Sequence, residues 1–253
     1  MQLLQPLEDR YVTDNKILDL VKEKLEYEII GYDSIKKLIY KIIYAGLFKP
    51  KFKKIHLLLT GAPATGKTVM IKSIFEAIGQ DRCIYYDATM ATRVGLLDHI
   101  LTYGSNLSNV RYICLDELDK MPKTHQFGVL NALESGIMQE NKYKRHRHAD
   151  LRHVTFFATS NEINKVYRPL ASRFMVMNMK PYTEQQFREI GLRLLNRKYD
   201  MPMSKCEIVV NIIQNNLSTR TMRSVVQLAT LIDDSQDEQD MLEVFKEHKL
   251  DFE

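Results

Sequence analysis

Apolar residues recur at helical spacing from residue 15 to 28, at Ile17, Leu18, Val21 and Leu25. Residues 1–14 are polar, contain Pro6, and read as a strap or frayed end. After the break at Ile29-Ile30-Gly31-Tyr32, Asp33 or Ser34 is placed to cap a second helix, with Ile35, Leu38, Ile39, Ile42 and Ile43 on one face. Short apolar runs then alternate with helical patterns. The runs cover 55–60, 83–86, 110–115, 154–159 and 175–179, and helices are predicted over 69–75, 94–101 and 124–135. Such alternation predicts an α/β fold, a parallel sheet covered by helices on both faces. From residue 183 the pattern is helical only, over 184–198, 205–215, 219–232 and 240–249. The expected organisation is an N-terminal strap and helix (1–27), an α/β core (28–182), and a small all-helical domain with an acidic tail (183–253).

Composition narrows the class without changing that picture. The chain has 253 residues, 45% hydrophobic and 27% charged, which suits a soluble globular protein. No run approaches a membrane span, and the N-terminus lacks a secretory pattern. Cys83, Cys114 and Cys206 lie far apart and are odd in number, which fits neither a zinc site nor a disulfide framework and points to a reducing, cytoplasmic or nucleoid-associated setting. A net charge of +4 is only mildly basic.

The candidate chemistry begins at Gly61-Ala62-Pro63-Ala64-Thr65-Gly66-Lys67-Thr68, between a strand run and the helix opened by Val69. In that context G-x-x-x-x-G-K-[ST] is a phosphate site. Its glycines let backbone N–H groups turn inward, and the helix N-terminus adds a positive dipole end. Lys67 can reach terminal phosphates and the Thr68 hydroxyl can ligate Mg²⁺. Asp116 and Glu117 close one strand and Asn161 follows another. In a parallel sheet ligands gather at the carboxyl ends of strands, so all three fall beside the phosphate loop. Asp116 is the candidate Mg²⁺ carboxylate, Glu117 the group that polarises water, and Asn161 the holder of water or γ-phosphate.

In this order the motifs resemble those of the AAA+ ATPases. Gly61–Thr68 resembles Walker A, and Ile113-Cys114-Leu115-Asp116-Glu117 resembles Walker B. Ala158-Thr159-Ser160-Asn161 is similar to the sensor 1 strand, Pro169-Leu170-Ala171-Ser172-Arg173-Phe174 to the arginine-finger segment, and Leu217-Ser218-Thr219-Arg220 to the start of the sensor 2 helix. Ile29, Ile30 and Gly31 occupy the place of the adenine-contacting turn. The resemblance implies ATP and Mg²⁺ as cofactors and a homo-oligomeric, usually six-membered ring. Arg173 would reach into a neighbour's site, with Arg168 as fallback, and Arg220 would act from the lid, with Arg223 as alternative. The core spacing resembles the RuvB-type and MoxR-type branch, where a β-hairpin precedes sensor 1. Here residues 142–153 carry Lys142, Lys144, Arg145, Arg147 and Arg152 around Tyr143, a composition that suits a nucleic-acid backbone. The RuvB-type motors carry a winged-helix domain after the lid, for which this sequence leaves no room, so junction binding does not carry over. The expectation is a DNA helicase or translocase. The alternatives are a protein remodeller with a protein partner, and a clamp-loader-like nucleotide switch.

Overall fold

The computed structural model describes residues 5–90, 95–142, 145–218, 220–232 and 237–248. The chain divides into two compact units, residues 1–180 and 181–253.

The first unit is built on five parallel strands. They are β1 (His56–Thr60), β2 (Cys83–Asp87), β3 (Tyr112–Asp116), β6 (Thr155–Ser160) and β7 (Phe174–Asn178), in the order β2-β3-β6-β1-β7. Alternate strand residues point to opposite faces, and both faces are covered, which is why the strands read as continuous apolar runs. Leu58, Ile113, Leu115 and Phe156 pack on one face against α4 (Gly95–Leu101), α5 (Lys123–Ser135) and α6 (Arg168–Ala171). Leu57, Leu59, Cys114 and Phe157 pack on the other against α1 (Gln5–Glu28), α2 (Asp33–Phe48) and α3 (Lys67–Ile78). Cys83 and Cys114 are fully enclosed in this second layer, their sulfurs 3.7 Å apart. A separate antiparallel hairpin, β4 (Ile137–Lys142) with β5 (Arg145–Asp150), lies where the resemblance expects an insertion. Tyr143 and Lys144, and the side chains of Lys142, Arg145 and Arg147, lie outside the described residues.

Two sequence expectations are corrected here. Most of the strap expected over 1–14 belongs to α1, which runs unbroken from Gln5. Pro6 sits in its first turn, where a missing N–H costs nothing. No side chain caps α2. Tyr32 takes the N-cap position in the left-handed region (φ 54°), and Asp33 is already in the first turn. The Tyr32 hydroxyl donates to the Lys180 carbonyl, which fixes the residue there.

The second unit holds α7 (Glu184–Tyr199), α8 (Met203–Asn216), α9 (Met222–Leu231) and α10 (Glu238–Glu247) around Leu195, Cys206, Val210, Ile213, Leu228 and Phe245. Capping boxes at Thr183/Gln186 and Asp237/Asp240 set two of the helix starts. The third helix begins later than residue 219, because the Thr221 hydroxyl accepts the Ser224 N–H 3.0 Å away and caps it. Arg220 therefore precedes α9, whereas Arg223 lies within it.

Candidate active site

The phosphate loop leaves the end of β1 through Gly61 at φ 140°. A Cβ there would lie 2.3 Å from the Met179 carbonyl oxygen, so only glycine fits. Ala64 (φ 63°) and Gly66 (φ 90°) turn the loop further, and Gly66 caps α3 with no side-chain acceptor. That leaves the first-turn N–H groups of α3 for a ligand. Ala62, Pro63 and Ala64 are exposed, as is Val69, while Thr65 is buried and its hydroxyl donates to the Ala62 carbonyl at 3.0 Å. Lys67 is buried. Its ammonium donates to the carbonyls of Gly61 (2.9 Å) and Ala62 (2.6 Å) and to the Thr65 hydroxyl (3.2 Å). These are bonds that phosphate oxygens can replace. Burial pulls the Lys67 pKa down, opposed by the charges of Asp119, Asp116 and Glu117.

Asp116 is the hub. One carboxylate oxygen accepts from the Thr68 hydroxyl (3.1 Å) and the Thr159 hydroxyl (2.5 Å), and the other accepts from the Tyr85 hydroxyl (2.7 Å). Burial and the neighbouring Asp116 raise the Tyr85 pKa far above its ordinary value, so the phenol remains a donor. A hydroxyl and a carboxylate this close form the oxygen-only donor set that Mg²⁺ prefers, so Thr68 and Asp116 fit that ion.

Glu117 leaves the strand in the left-handed region (φ 55°), which is uncommon for a non-glycine residue and clusters at functional sites. Its N–H donates to the Thr159 hydroxyl at 2.9 Å. Its carboxylate faces the Asn161 amide at 3.4 Å, a long contact. Asp119 is buried and accepts the backbone N–H groups of Asn161 (3.1 Å) and Glu162 (3.2 Å). Buried Gln126 takes the Tyr167 N–H (2.6 Å) and donates to the carbonyls of Met121 (2.9 Å), Leu118 (3.4 Å) and Lys165 (3.3 Å). It ties the turn after Glu117 to the segment leading into α6.

Lys67, Thr68, Asp116, Glu117 and Asn161 thus meet at one end of the sheet. Ile29 is buried in the same apolar layer as Met70 and Ile71 of α3, while Ile30 and Gly31 are half-buried. Arg173 is exposed and pairs with Glu134 at 2.6 Å. It precedes β7, whose first residue pairs with His56, whereas the phosphate loop follows β1 at the other end. Five strand residues separate the two, roughly 15 Å. Arg168 is exposed at the start of α6, and Arg220 lies in the second unit, paired with Glu184 at 2.6 Å. Tyr85, Asp119, Gln126 and Thr159 were not singled out by sequence. Thr159 lay inside the quoted sensor strand, but the other three carry no local signal.

The fold and the loop define a P-loop nucleoside-triphosphatase. Residues 57–182 match the family described as "ATPase family associated with various cellular activities (AAA)" and form an AAA ATPase domain. Curated relatives include the Lon proteases of Protochlamydia amoebophila (24% identical, 85% of this chain, 27% of that one) and Halothermothrix orenii (30%, 73% and 26%). This chain spans about a quarter of their length. Among solved structures, the Thermotoga maritima RuvB Holliday junction branch migration motor shares the fold at TM-score 0.60 and 18% identity, over 88% of this chain and 71% of that one. A point mutant of the same protein gives 0.62 and 20%. No helix among the described residues is long and apolar enough to cross a membrane.

Proposed function

We propose that this chain is an ATP-driven motor that works as a homo-oligomeric ring on nucleic acid. The observation that carries the ring is Arg173. It is exposed and stands at the strand end opposite its own phosphate loop, so an arginine finger at this position serves a neighbour's site. Within one subunit the loop amides and Lys67 grip the phosphates, Glu117 takes the proton of the attacking water, and Asn161 orients that water. Thr68 and Asp116 would hold Mg²⁺, which would supply positive charge to offset that of the phosphates. Ile29, Ile30 and Gly31 form the adenine-side turn in this reading, and Arg220 is the lid sensor.

The nucleic-acid cargo is supported by the basic composition of residues 142–153 on an extended hairpin and by the RuvB-like fold. A second reading, protein remodelling, is favoured by the Lon relatives, which match 85% and 73% of this chain. Steady-state ATP hydrolysis at low salt separates them. The rate is expected to rise with single-stranded, duplex or four-way-junction DNA and to lose that stimulation as salt increases. A rate flat across every DNA, and raised instead by an unfolded polypeptide, would replace the first reading with the second.

A further inference from the structure

The end of the sheet away from the phosphate loop carries a second charged surface. From Ser34 to Phe75 the sequence has nine lysines and no Asp, Glu, Arg, Asn or Gln. Two of the nine, Lys36 and Lys67, are buried, but Lys49, Lys51 and Lys53 are exposed on the turn between α2 and β1. Among the described residues, none of those three forms an ion pair of the kind that fixes Lys36 to Glu26 at 2.7 Å. Phe52, in their midst, is 70% exposed, and Tyr44 on the last turns of α2 is 42% exposed. The Lys49 ammonium sits between the two rings, 6.0 Å from Tyr44 and 5.9 Å from Phe52. Parallel strands bring their starting residues together, so Arg111, which enters β3, adds its charge beside Lys54, which leads into β1. The pKa of Lys54 is lowered by burial and then by Arg111, and that of His56 by burial and then by Lys53. The stretch itself contributes positive charge and no acid.

We propose that the face formed by Tyr44, Lys49, Lys51, Phe52, Lys53 and Lys54 binds single-stranded nucleic acid without sequence preference. Lysines meet phosphates as point charges, and exposed rings offer a stacking surface to unpaired bases. The stretch lacks the forked or amide side chains that read base edges, so no base is selected. An acidic polypeptide would use the lysines but leave both rings in water. The inference rests on the nucleic-acid reading above, yet it concerns a different surface from the hairpin.

The test is fluorescence anisotropy of a labelled 20-nucleotide oligothymidine with the full chain, across a salt series. Four lysines in contact give a slope of log affinity against log salt of roughly −2.8. The double change Lys51→Ala/Lys53→Ala is expected to reduce that slope by about 1.4. Phe52→Ala is expected to weaken oligothymidine binding roughly five- to hundredfold and to leave binding to a blunt duplex unchanged. Basal ATP turnover stays at the wild-type rate in these variants, which checks their folding. The proposal is overturned if the slope does not move. It is equally overturned if polyglutamate displaces the oligonucleotide while Phe52→Ala has no effect, because the face then fits an acidic polypeptide. If binding instead disappears with Lys142→Ala/Arg145→Ala and survives the changes here, this face fails but the nucleic-acid reading stands. Absence of binding to any oligonucleotide by the wild type removes both.

Discussion

Asp119 holds the backbone N–H groups of Asn161 and Glu162 on its two oxygens, so the amide facing Glu117 is positioned from below by a carboxylate that meets no phosphate itself. Asp119→Asn offers one acceptor oxygen where the carboxylate has two. Turnover is expected to fall about 100-fold, the scale of a misplaced reacting group, with nucleotide affinity unchanged. Glu117→Gln is the comparator. It should bind ATP as tightly and lose at least about 100-fold in rate. Equal loss of affinity and rate in Asp119→Asn, measured by fluorescent-nucleotide titration beside steady-state hydrolysis, would mean that Asp119 supports the loop rather than Asn161. His56 makes a separate prediction at this scale. It is half-buried, its Nδ1 accepts the Phe156 N–H at 3.1 Å, and its pKa is drawn down to about 4 by burial first and by Lys53 second. The fold therefore favours the neutral ring. The stability this carries is complete above the ordinary value near 6.5, declines as pH falls toward 4, and changes no further below that. The span corresponds to roughly 3 kcal/mol. Thermal midpoints of wild type and His56→Gln, compared between pH 7.5 and 4.5, should show the steeper fall in the wild type.

Between elements, Gln126 on α5 does what no pair of adjacent residues could. It joins the turn that follows Glu117 to the carbonyl of Lys165 and the N–H of Tyr167, ahead of the segment that ends in Arg173. Gln126→Leu leaves several buried polar groups without partners, each costing about 1–3 kcal/mol. The variant is expected to lose stability on that scale in denaturant titration and to lose turnover beyond what its unfolded fraction explains. Such connections were not legible in the sequence, because Gln126 meets Lys165 and Tyr167 across about 40 residues with no periodic trace. Tyr85 and Asp116 meet in the same way from different strands. What was legible was local. The apolar runs gave the five sheet strands, and the glycines with Lys67 and Thr68 marked the loop between β1 and α3. The mostly polar residues 5–14 hid the first turns of α1, and among the described side chains of that helix the buried ones include Asp14, Ile17 and Leu18. Residues 219–221 read as helical in sequence, but Arg220 precedes α9 and Thr221 caps it, while residue 219 lies outside the described residues.

At the scale of the molecule, the proposed ring would make each subunit's chemistry depend on another copy, because Arg173 lies at the strand end away from its own loop. Arg173→Ala alone is expected to lose about 1,000-fold in turnover, the size of effect such fingers have. Mixed with Glu117→Gln, it should recover part of the activity, because some interfaces then join an intact Glu117 to an intact Arg173. Titration of one variant against the other tests this. A mixture no more active than its components would remove Arg173 from the neighbour's site.

The sealed thiols have a practical corollary. Cys83 and Cys114 are enclosed in the first unit and Cys206 is enclosed in the second. A thiol reagent has no route to any of them while the chain is closed, so alkylation proceeds only as fast as each unit opens. Mass spectrometry of peptides after timed alkylation then gives two clocks in one tube. Cys83 and Cys114 should keep a common time, and Cys206 its own. Nucleotide should slow the first clock, because it binds the closed form of the unit that holds the phosphate loop.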